Sequence, residues 1–234
     1  MKSNFRILIK GKGKPLLLLP GFAIYPEMCD PVVKELAKNY LVIVPYLPDL
    51  ASFSNLNDLI VKKLNELKIK DKIILIGHSM GAMLAVKFVL EYKNKVNKLI
   101  ISDGLILPHK KTFFQTAGDI VADTLYNIFD PNDWKNLILS LYGQAKFFLK
   151  NPSNFKYQMD FAMKNSVEND LPKINVPTMI FWGKRDKVIS ADNAEKIHKK
   201  IPKSKLEIFS GNHLWPLQNP KLLKAKTDQF VNEN

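Results

Sequence analysis

The 234-residue chain has little cysteine and no long apolar run, and each shortage excludes a class of protein. Cys29 is its only cysteine, so no disulfide can form within the chain. This usage is typical of a reducing compartment, and we predict a cytoplasmic location. No stretch approaches the roughly 20 apolar residues that span a bilayer, and the N-terminal sequence MKSNFRILIKGKGK lacks the features of a secretory signal. We therefore expect no membrane span.

Arginine is also scarce, although the formal net charge is +13. Arg6 and Arg185 are the only arginines, and the lysines are spread along the chain instead of clustering with aromatic residues. Nucleic-acid sites favour clustered arginine, so we expect no nucleic-acid partner and interpret the charge as a compositional bias. The alternative is that the charge attracts an acidic partner, for example an acidic acyl-carrier protein.

Hydrophobic residues make up 46% of the chain, and their pattern alternates between short strands and amphipathic helices. Nearly continuous apolar strands predict an α/β fold with a mostly parallel central sheet and helices on both of its faces. The first two strands, joined by the GKGK turn, are expected to form an antiparallel edge. The predicted strands are Phe5–Ile9, Pro15–Pro20, Tyr40–Pro45, Ile73–Ile76, Val96–Ser102, Val176–Trp182 and Lys205–Phe209.

The alternation stops between Leu105 and Leu171, where the spacing predicts helices that are rich in aromatic residues. This segment is too long to be a bare loop. We predict that residues 105–171 form a helical cap, inserted after the sixth core strand and not an independent domain. Residues 1–104 and 172–234 then form the core.

The sequence GHSMG at residues 77–81 joins an apolar strand to a helix of small residues. A sharp turn there would lift Ser79 above the end of the sheet, and side chains at Gly77 and Gly81 would clash across the turn. The N-terminus of the following helix favours a developing negative charge. A serine hydroxyl needs a base and an orienting acid before it becomes a good nucleophile. Ser79 is the candidate nucleophile.

With this motif between a strand and a helix, the sequence resembles the α/β-hydrolase family, in particular its capped, single-domain branch of serine-esterase-like proteins. The resemblance implies the α/β-hydrolase fold, with an acid and a histidine on loops after late strands. The loop GKRDKVI offers Asp186, and the loop SGNHLWP offers His213 as the base. The chain order Ser, Asp, His is that of the family. Some relatives take the acid from an earlier strand, which leaves Asp103 in IISDG as the alternative.

The resemblance also implies an oxyanion hole formed by two backbone N–H groups. One belongs to Met80, the residue after the nucleophile, and the other to Phe22 in the loop PGFAI. Many relatives have His-Gly before the second donor, whereas this chain has Pro20-Gly21. Proline lacks an N–H, but the donor itself is the residue that follows the glycine.

These residues predict a serine hydrolase that cleaves a small-molecule carboxylic ester or thioester with an apolar acyl or alcohol part, through an acyl-enzyme intermediate. The sequence contains no metal-ligand cluster and no glycine-rich nucleotide motif, so no metal and no cofactor are expected. Two alternatives stay open. The same triad serves relatives that act as C–C bond hydrolases, lyases or perhydrolases, and the chain could instead be a small-molecule-binding module with little turnover.

Overall fold

The computed structural model describes residues 5–47, 55–109, 111–126, 142–143, 145–150 and 152–233. These residues contain a seven-stranded sheet in the order β1-β3-β2-β4-β5-β6-β7. Every neighbouring pair of strands is parallel except β1 with β3, which confirms the predicted α/β fold with a mostly parallel sheet. The strands are β1 Ile7–Lys10, β2 Lys14–Leu19, β3 Tyr40–Pro45, β4 Ile73–His78, β5 Val96–Ser102, β6 Thr178–Gly183 and β7 Ser204–Phe209.

Helices cover both faces of the sheet. Successive side chains of a strand point to opposite faces, so a central strand contributes to a buried cluster on each face. Leu17 and Leu19 of β2 belong to one buried cluster, and Leu16 and Leu18 belong to the other. In the described part of the chain, no helix has the length and the apolar character needed to cross a membrane. The α-helices are α1 Asp30–Leu36, α2 Leu56–Glu66, α3 Met80–Glu91, α4 Phe113–Tyr126, α5 Pro152–Lys164, α6 Asp192–Lys200, α7 Trp215–Gln218 and α8 Pro220–Asn232.

The N-terminal edge of the sheet differs from the prediction, because β1 pairs with β3 and not with β2. The side chains of residues 16–19 are buried on both faces, so β2 lies inside the sheet between β3 and β4. The turn after β1 therefore passes the start of β3, where a Cβ at Gly11 would lie only 2.3 Å from the carbonyl oxygen of Tyr40. The expected hairpin of β1 and β2 was wrong.

The chain leaves β2 toward one side of the sheet and later enters β4 on the other side. The carboxyl ends of β2 and β4 thus flank a topological switch point, where open α/β sheets bind their ligands.

Along the chain, helices α4 and α5 and the helical residues 145–150 come after β5 and before β6. In the described structure these helices follow the fifth strand, whereas the prediction placed the insertion after a sixth. The difference arises because only one strand, β1, lies beyond β3 at that edge of the described sheet. Residues 127–141 of the predicted cap lie outside the described residues.

Candidate active site

Ser79 stands at the junction of β4 and α3 in a backbone conformation that is unusual for a residue with a side chain. Its φ is 55° and its ψ is −124°, and a positive φ in a non-glycine residue marks local strain. Its N–H donates to the carbonyl oxygen of Ser102, and its own carbonyl accepts from the N–H groups of Ala82 and Leu105, each at 3.0 Å. These bonds hold the turn at the carboxyl end of the sheet.

The two flanking glycines are needed for different reasons. A Cβ at Gly77 would lie 2.6 Å from the Cα of Ala82, so this glycine relieves a clash across the turn, as expected. A Cβ at Gly81 would instead lie 2.1 Å from the carbonyl oxygen of Leu19. Gly81 therefore allows α3 to approach the end of β2, a contact with another strand that the motif alone does not reveal.

The structure brings Ser79, His213 and Asp186 together in one chain of hydrogen bonds. The Oγ of Ser79 lies 3.1 Å from Nε2 of His213, and Nδ1 of His213 lies 2.7 Å from Oδ2 of Asp186. The other carboxylate oxygen of Asp186 accepts the N–H of Ile189 at 2.8 Å. In the neutral imidazole, an Nδ1–H that donates to Asp186 leaves Nε2 as the acceptor for the serine hydroxyl. The imidazole and the carboxylate are both buried.

Asp103, the alternative acid, has a different set of partners. Its carboxylate accepts the N–H of Gly183 at 2.8 Å, the hydroxyl of Ser102 at 2.7 Å and the indole N–H of Trp215 at 2.6 Å. Burial, and then the nearby charge of Asp186, raise the pKa of Asp103 to about 8. In the described structure, the carboxylate that is hydrogen-bonded to the imidazole of His213 is that of Asp186.

A third acidic residue, Asp123 of α4, contacts the histidine loop and was missed by the sequence analysis. Its Oδ2 accepts the backbone N–H of His213 at 3.1 Å, and its main-chain carbonyl accepts from the Asn212 side chain at 3.1 Å. Burial is the main reason that the pKa of Asp123 is raised, to about 6. An aspartate within an amphipathic helix carries no sequence signal of such a contact.

The electrostatic surroundings of His213 favour its protonated form. Burial alone would lower the pKa of His213, but the charges of Asp186, Asp103 and Asp123 outweigh it and raise the pKa to about 9. The ring of His78 lies 5.0 Å away, and burial, together with the charge of His213, holds the pKa of His78 well below its usual value. His78 is therefore a neutral neighbour, and His213 is the titrating imidazole of the site.

The two predicted oxyanion donors lie on segments that border the serine. A Cβ at Gly21 would lie 3.1 Å from the Cβ of Ser79, so the loop that carries Phe22 passes directly beside the hydroxyl. Met80 opens α3, where backbone N–H groups have no acceptor within their own helix. Both segments can thus present N–H groups to a substrate oxygen at Ser79.

Ser79 and His213 line a cavity that is partly open to solvent. Its wall is mostly apolar and is built by the core and by the insertion helices. Two polar side chains of the wall pair with each other, since Nε2 of His109 lies 2.7 Å from Oγ1 of Thr116. Its apolar side chains include Phe22, Ile24, Leu105, Ile120, Met159, Met163, Val188 and Leu214.

Comparison with known proteins shows which proteins this chain is similar to. The chain is 25% identical to a monoacylglycerol lipase of Homo sapiens over 258 residues, covering 93% of this chain and 77% of the lipase. It is 23% identical to a pimeloyl-[acyl-carrier protein] methyl ester esterase of Legionella pneumophila (strain Lens) over 246 residues, covering 97% and 99% of the two chains. Among solved structures, an esterase from Thermogutta terrifontis superposes with a TM-score of 0.76 at 20% identity, covering 97% of this chain and 92% of the esterase.

The family model described as serine aminopeptidase, S33, matches residues 46–215, which is well over half of the chain. Its match begins directly after β3 and extends through the loop that carries His213. The protein is therefore a hydrolase, and the chain belongs to the α/β-hydrolase family that this model describes.

Proposed function

We propose that the protein is a carboxylesterase in which Ser79 is the nucleophile, His213 the general base and Asp186 the orienting acid. The observation that carries this proposal is the continuous hydrogen-bond chain from Ser79 through His213 to Asp186, at a serine that lines a mostly apolar cavity. The relatives named lipase and esterase support ester cleavage.

The reaction proceeds in two halves. The Ser79 oxygen attacks the ester carbonyl as its proton moves to Nε2 of His213, and the tetrahedral intermediate expels the alcohol, which takes that proton. Water then attacks the acyl-enzyme, gives its proton to Nε2, and the acid leaves as Ser79 is reprotonated. Asp186 holds Nδ1–H throughout and stabilises the imidazolium in both halves.

The backbone N–H groups of Phe22 and Met80 serve as donors to the oxyanion. Their segments flank Ser79 on two sides, and the positive end of α3 points toward the same place. Complete loss of one such donor typically costs about 3 kcal/mol of transition-state stabilisation.

The substrate carries an apolar acyl or alcohol part, because the cavity beside the hydroxyl is lined mostly by apolar side chains. We assign residues 105–171 to a cap on the core formed by 1–104 and 172–234. Met159 and Met163 of α5 and Ile120 of α4 line the cavity together with residues of the core, as residues of a cap would.

A fluorophosphonate probe and a series of p-nitrophenyl esters of increasing acyl length test the proposal. We expect the wild-type protein to be labelled at Ser79 and to hydrolyse the esters, and we expect Ser79→Ala to do neither while keeping its unfolding temperature. A folded wild-type protein that is neither labelled nor active would indicate a binding module instead.

A second candidate is an ester or thioester whose acyl group is attached to an acidic carrier protein. Two observations favour it: the net charge of +13, and the relative whose name specifies a methyl ester on an acyl-carrier protein. The salt dependence of turnover distinguishes it from a free small-molecule ester.

A further inference from the structure

We infer that Gln158 of α5 is a positioning residue for the oxyanion loop, fixing the backbone that presents the Phe22 N–H beside Ser79. The inference rests on the proposed function and deepens it. It gives the insertion a part in transition-state stabilisation in addition to its part in lining the cavity.

The loop needs support from outside the sheet. Strand β2 ends at Leu19, so the ladder no longer holds residues 21–23. Ala23 is buried and has a φ of 54°, a left-handed conformation that costs energy for a residue with a Cβ. Such a conformation persists only where the surroundings impose it. The strain immediately follows Phe22, so the group that holds Ala23 also sets the direction of the proposed donor.

Gln158 supplies that constraint. Its side-chain carbonyl Oε1 accepts the backbone N–H of Ala23 at 3.2 Å, and the glutamine is fully buried, at 0% exposure. The two residues are 135 positions apart in the chain, so this contact exists only when α5 is packed onto the core. A buried N–H without an acceptor is costly, so the hydrogen bond favours this loop conformation.

The same helix also contacts the side chain of the donor residue. The ring of Phe155 packs edge-on against the ring of Phe22, with centroids 4.7 Å apart and an interplanar angle of 63°. Phe155 and Gln158 are three residues apart, so they lie on the same side of α5. One face of α5 therefore holds the loop by two contacts. Gln158 accepts the backbone N–H of Ala23, and Phe155 packs against the ring of Phe22.

Loss of the hydrogen bond from Ala23 to Gln158 should affect kcat and not KM. A loop that loses its anchor still forms the cavity, but it holds the Phe22 N–H less firmly at the position of the oxyanion. Since the oxyanion exists only in the transition state, the loss lowers kcat and leaves KM nearly unchanged. We expect about a ten-fold loss of kcat, smaller than the 10²- to 10³-fold loss for a donor that is removed outright.

Three variants of Gln158 and one control variant test the inference. The kcat of each is measured on p-nitrophenyl butyrate and divided by the number of active sites titrated with a fluorophosphonate. Gln158→Met keeps the length and removes the acceptor, and Gln158→Asn keeps an amide that is too short to reach Ala23. Both should lose kcat about ten-fold at similar KM, with a parallel fall in the labelling rate. Gln158→Glu keeps an acceptor oxygen and should recover most of the activity.

The matched control is Asn154→Leu, which removes another buried amide one turn earlier on α5. In the described structure Asn154 makes no hydrogen bond to residues 21–23, so this variant should keep the wild-type kcat per active site. A merely structural role for Gln158 would lower the unfolding temperature and the titrated fraction, but not kcat per site.

Folded Gln158→Met with wild-type kcat per site would overturn the inference, and Gln158→Asn decides in the same way if the methionine variant does not fold. An equal loss in Asn154→Leu would also overturn it. Wild-type protein that is folded but not labelled would overturn the proposed function together with this inference, whereas labelled wild type with unaffected Gln158 variants overturns this inference alone.

Discussion

Asp186 and Asp103 are both buried close to His213, yet only Asp186 is hydrogen-bonded to it in the described structure. Asp103 instead accepts hydrogen bonds from Gly183, Ser102 and Trp215, which tie the end of β5 to the end of β6 and to the start of α7. The hydrogen-bond partners of the two carboxylates therefore support the proposal that Asp186, and not Asp103, orients His213.

Replacing each aspartate by asparagine should separate the two roles. Asp186→Asn should lower kcat by about 10³- to 10⁴-fold, because an amide at this position stabilises the wrong tautomer of His213. Asp103→Asn should keep kcat within about five-fold but lower the free energy of unfolding by about 1–3 kcal/mol, because one amide hydrogen-bond donor then faces a donor. Steady-state kinetics and urea unfolding measure both effects, and the reverse pattern of kcat losses would assign the acid to Asp103.

Asp123 should set part of the pH dependence of the reaction. In the proposed mechanism only neutral His213 accepts the serine proton, so the rate should rise with pH through the pKa of His213, which its surroundings raise above the usual value. Asp123→Asn removes a negative charge that raises this pKa, so the acidic limb of the kcat/KM profile should move to lower pH. The asparagine carbonyl can still accept the His213 N–H, which keeps the loop in place.

The profile is measured with a neutral p-nitrophenyl ester from about pH 5 to pH 10, across the acidic limb. Asp119→Asn is the control, since Asp119 lies one turn earlier on α4 but is partly exposed and paired with Lys111. An acidic limb that stays in place or moves to higher pH in Asp123→Asn would contradict the role of this charge.

At the scale of the elements, the turn between β4 and α3 depends on the contact of Gly81 with the end of β2. Gly81→Ala would place its Cβ 2.1 Å from the carbonyl oxygen of Leu19, and backbone cannot yield as a flexible side chain can. We expect it to lower the free energy of unfolding by about 3 kcal/mol or more and to abolish turnover.

Gly118→Ala is the matched substitution within α4, where an added Cβ meets no atom within 4 Å. Alanine is the better helix former, so this variant should be more stable than wild type by about 0.5–1 kcal/mol. Urea unfolding of the two variants checks both signs. Equal stabilities would mean that the close approach of α3 to β2 does not require a glycine.

The strands could be predicted because their apolar runs are short, separate and bounded by turns. The partner of β1 could not, because pairing depends on which strand the fold places in the interior, and the short GKGK turn favours a hairpin when it is considered alone. The burial of β2 on both faces decides the question only once the whole sheet is assembled.

The candidate site also contains residues that the sequence predicts and residues that it does not. Ser79 could be selected from its motif, and Asp186 and His213 from the resemblance to the family. All three follow parallel strands, whose carboxyl ends meet at one edge of the sheet. Asp123 and Gln158 reach the site from helices of the insertion, and their contacts span 90 and 135 residues. No local pattern encodes such contacts, because they arise from how the insertion packs on the core.

At the scale of the whole molecule, the positive charge bears on which substrates the protein attracts. Many lysines are paired with acids on the surface, as in the contacts of Lys38 with Glu35 and of Lys63 with Glu66. Exposed pairs of this kind contribute little to stability. The net charge of +13 is nevertheless large enough to accelerate the association of an acidic partner at low salt.

Salt dependence therefore tests the identity of the acyl carrier. If the acyl group arrives on an acidic carrier protein, raising the salt from about 0.05 M to 0.5 M should lower kcat/KM at least ten-fold, because screening weakens charge attraction between the two proteins. A neutral p-nitrophenyl ester of the same acyl chain should change less than about two-fold, since its encounter does not depend on charge. Parallel measurements with both substrates at each salt concentration make the comparison. Equal sensitivity of the two would indicate that salt acts on the enzyme itself, and insensitivity of both would leave the charge as a bias of composition with no part in substrate capture.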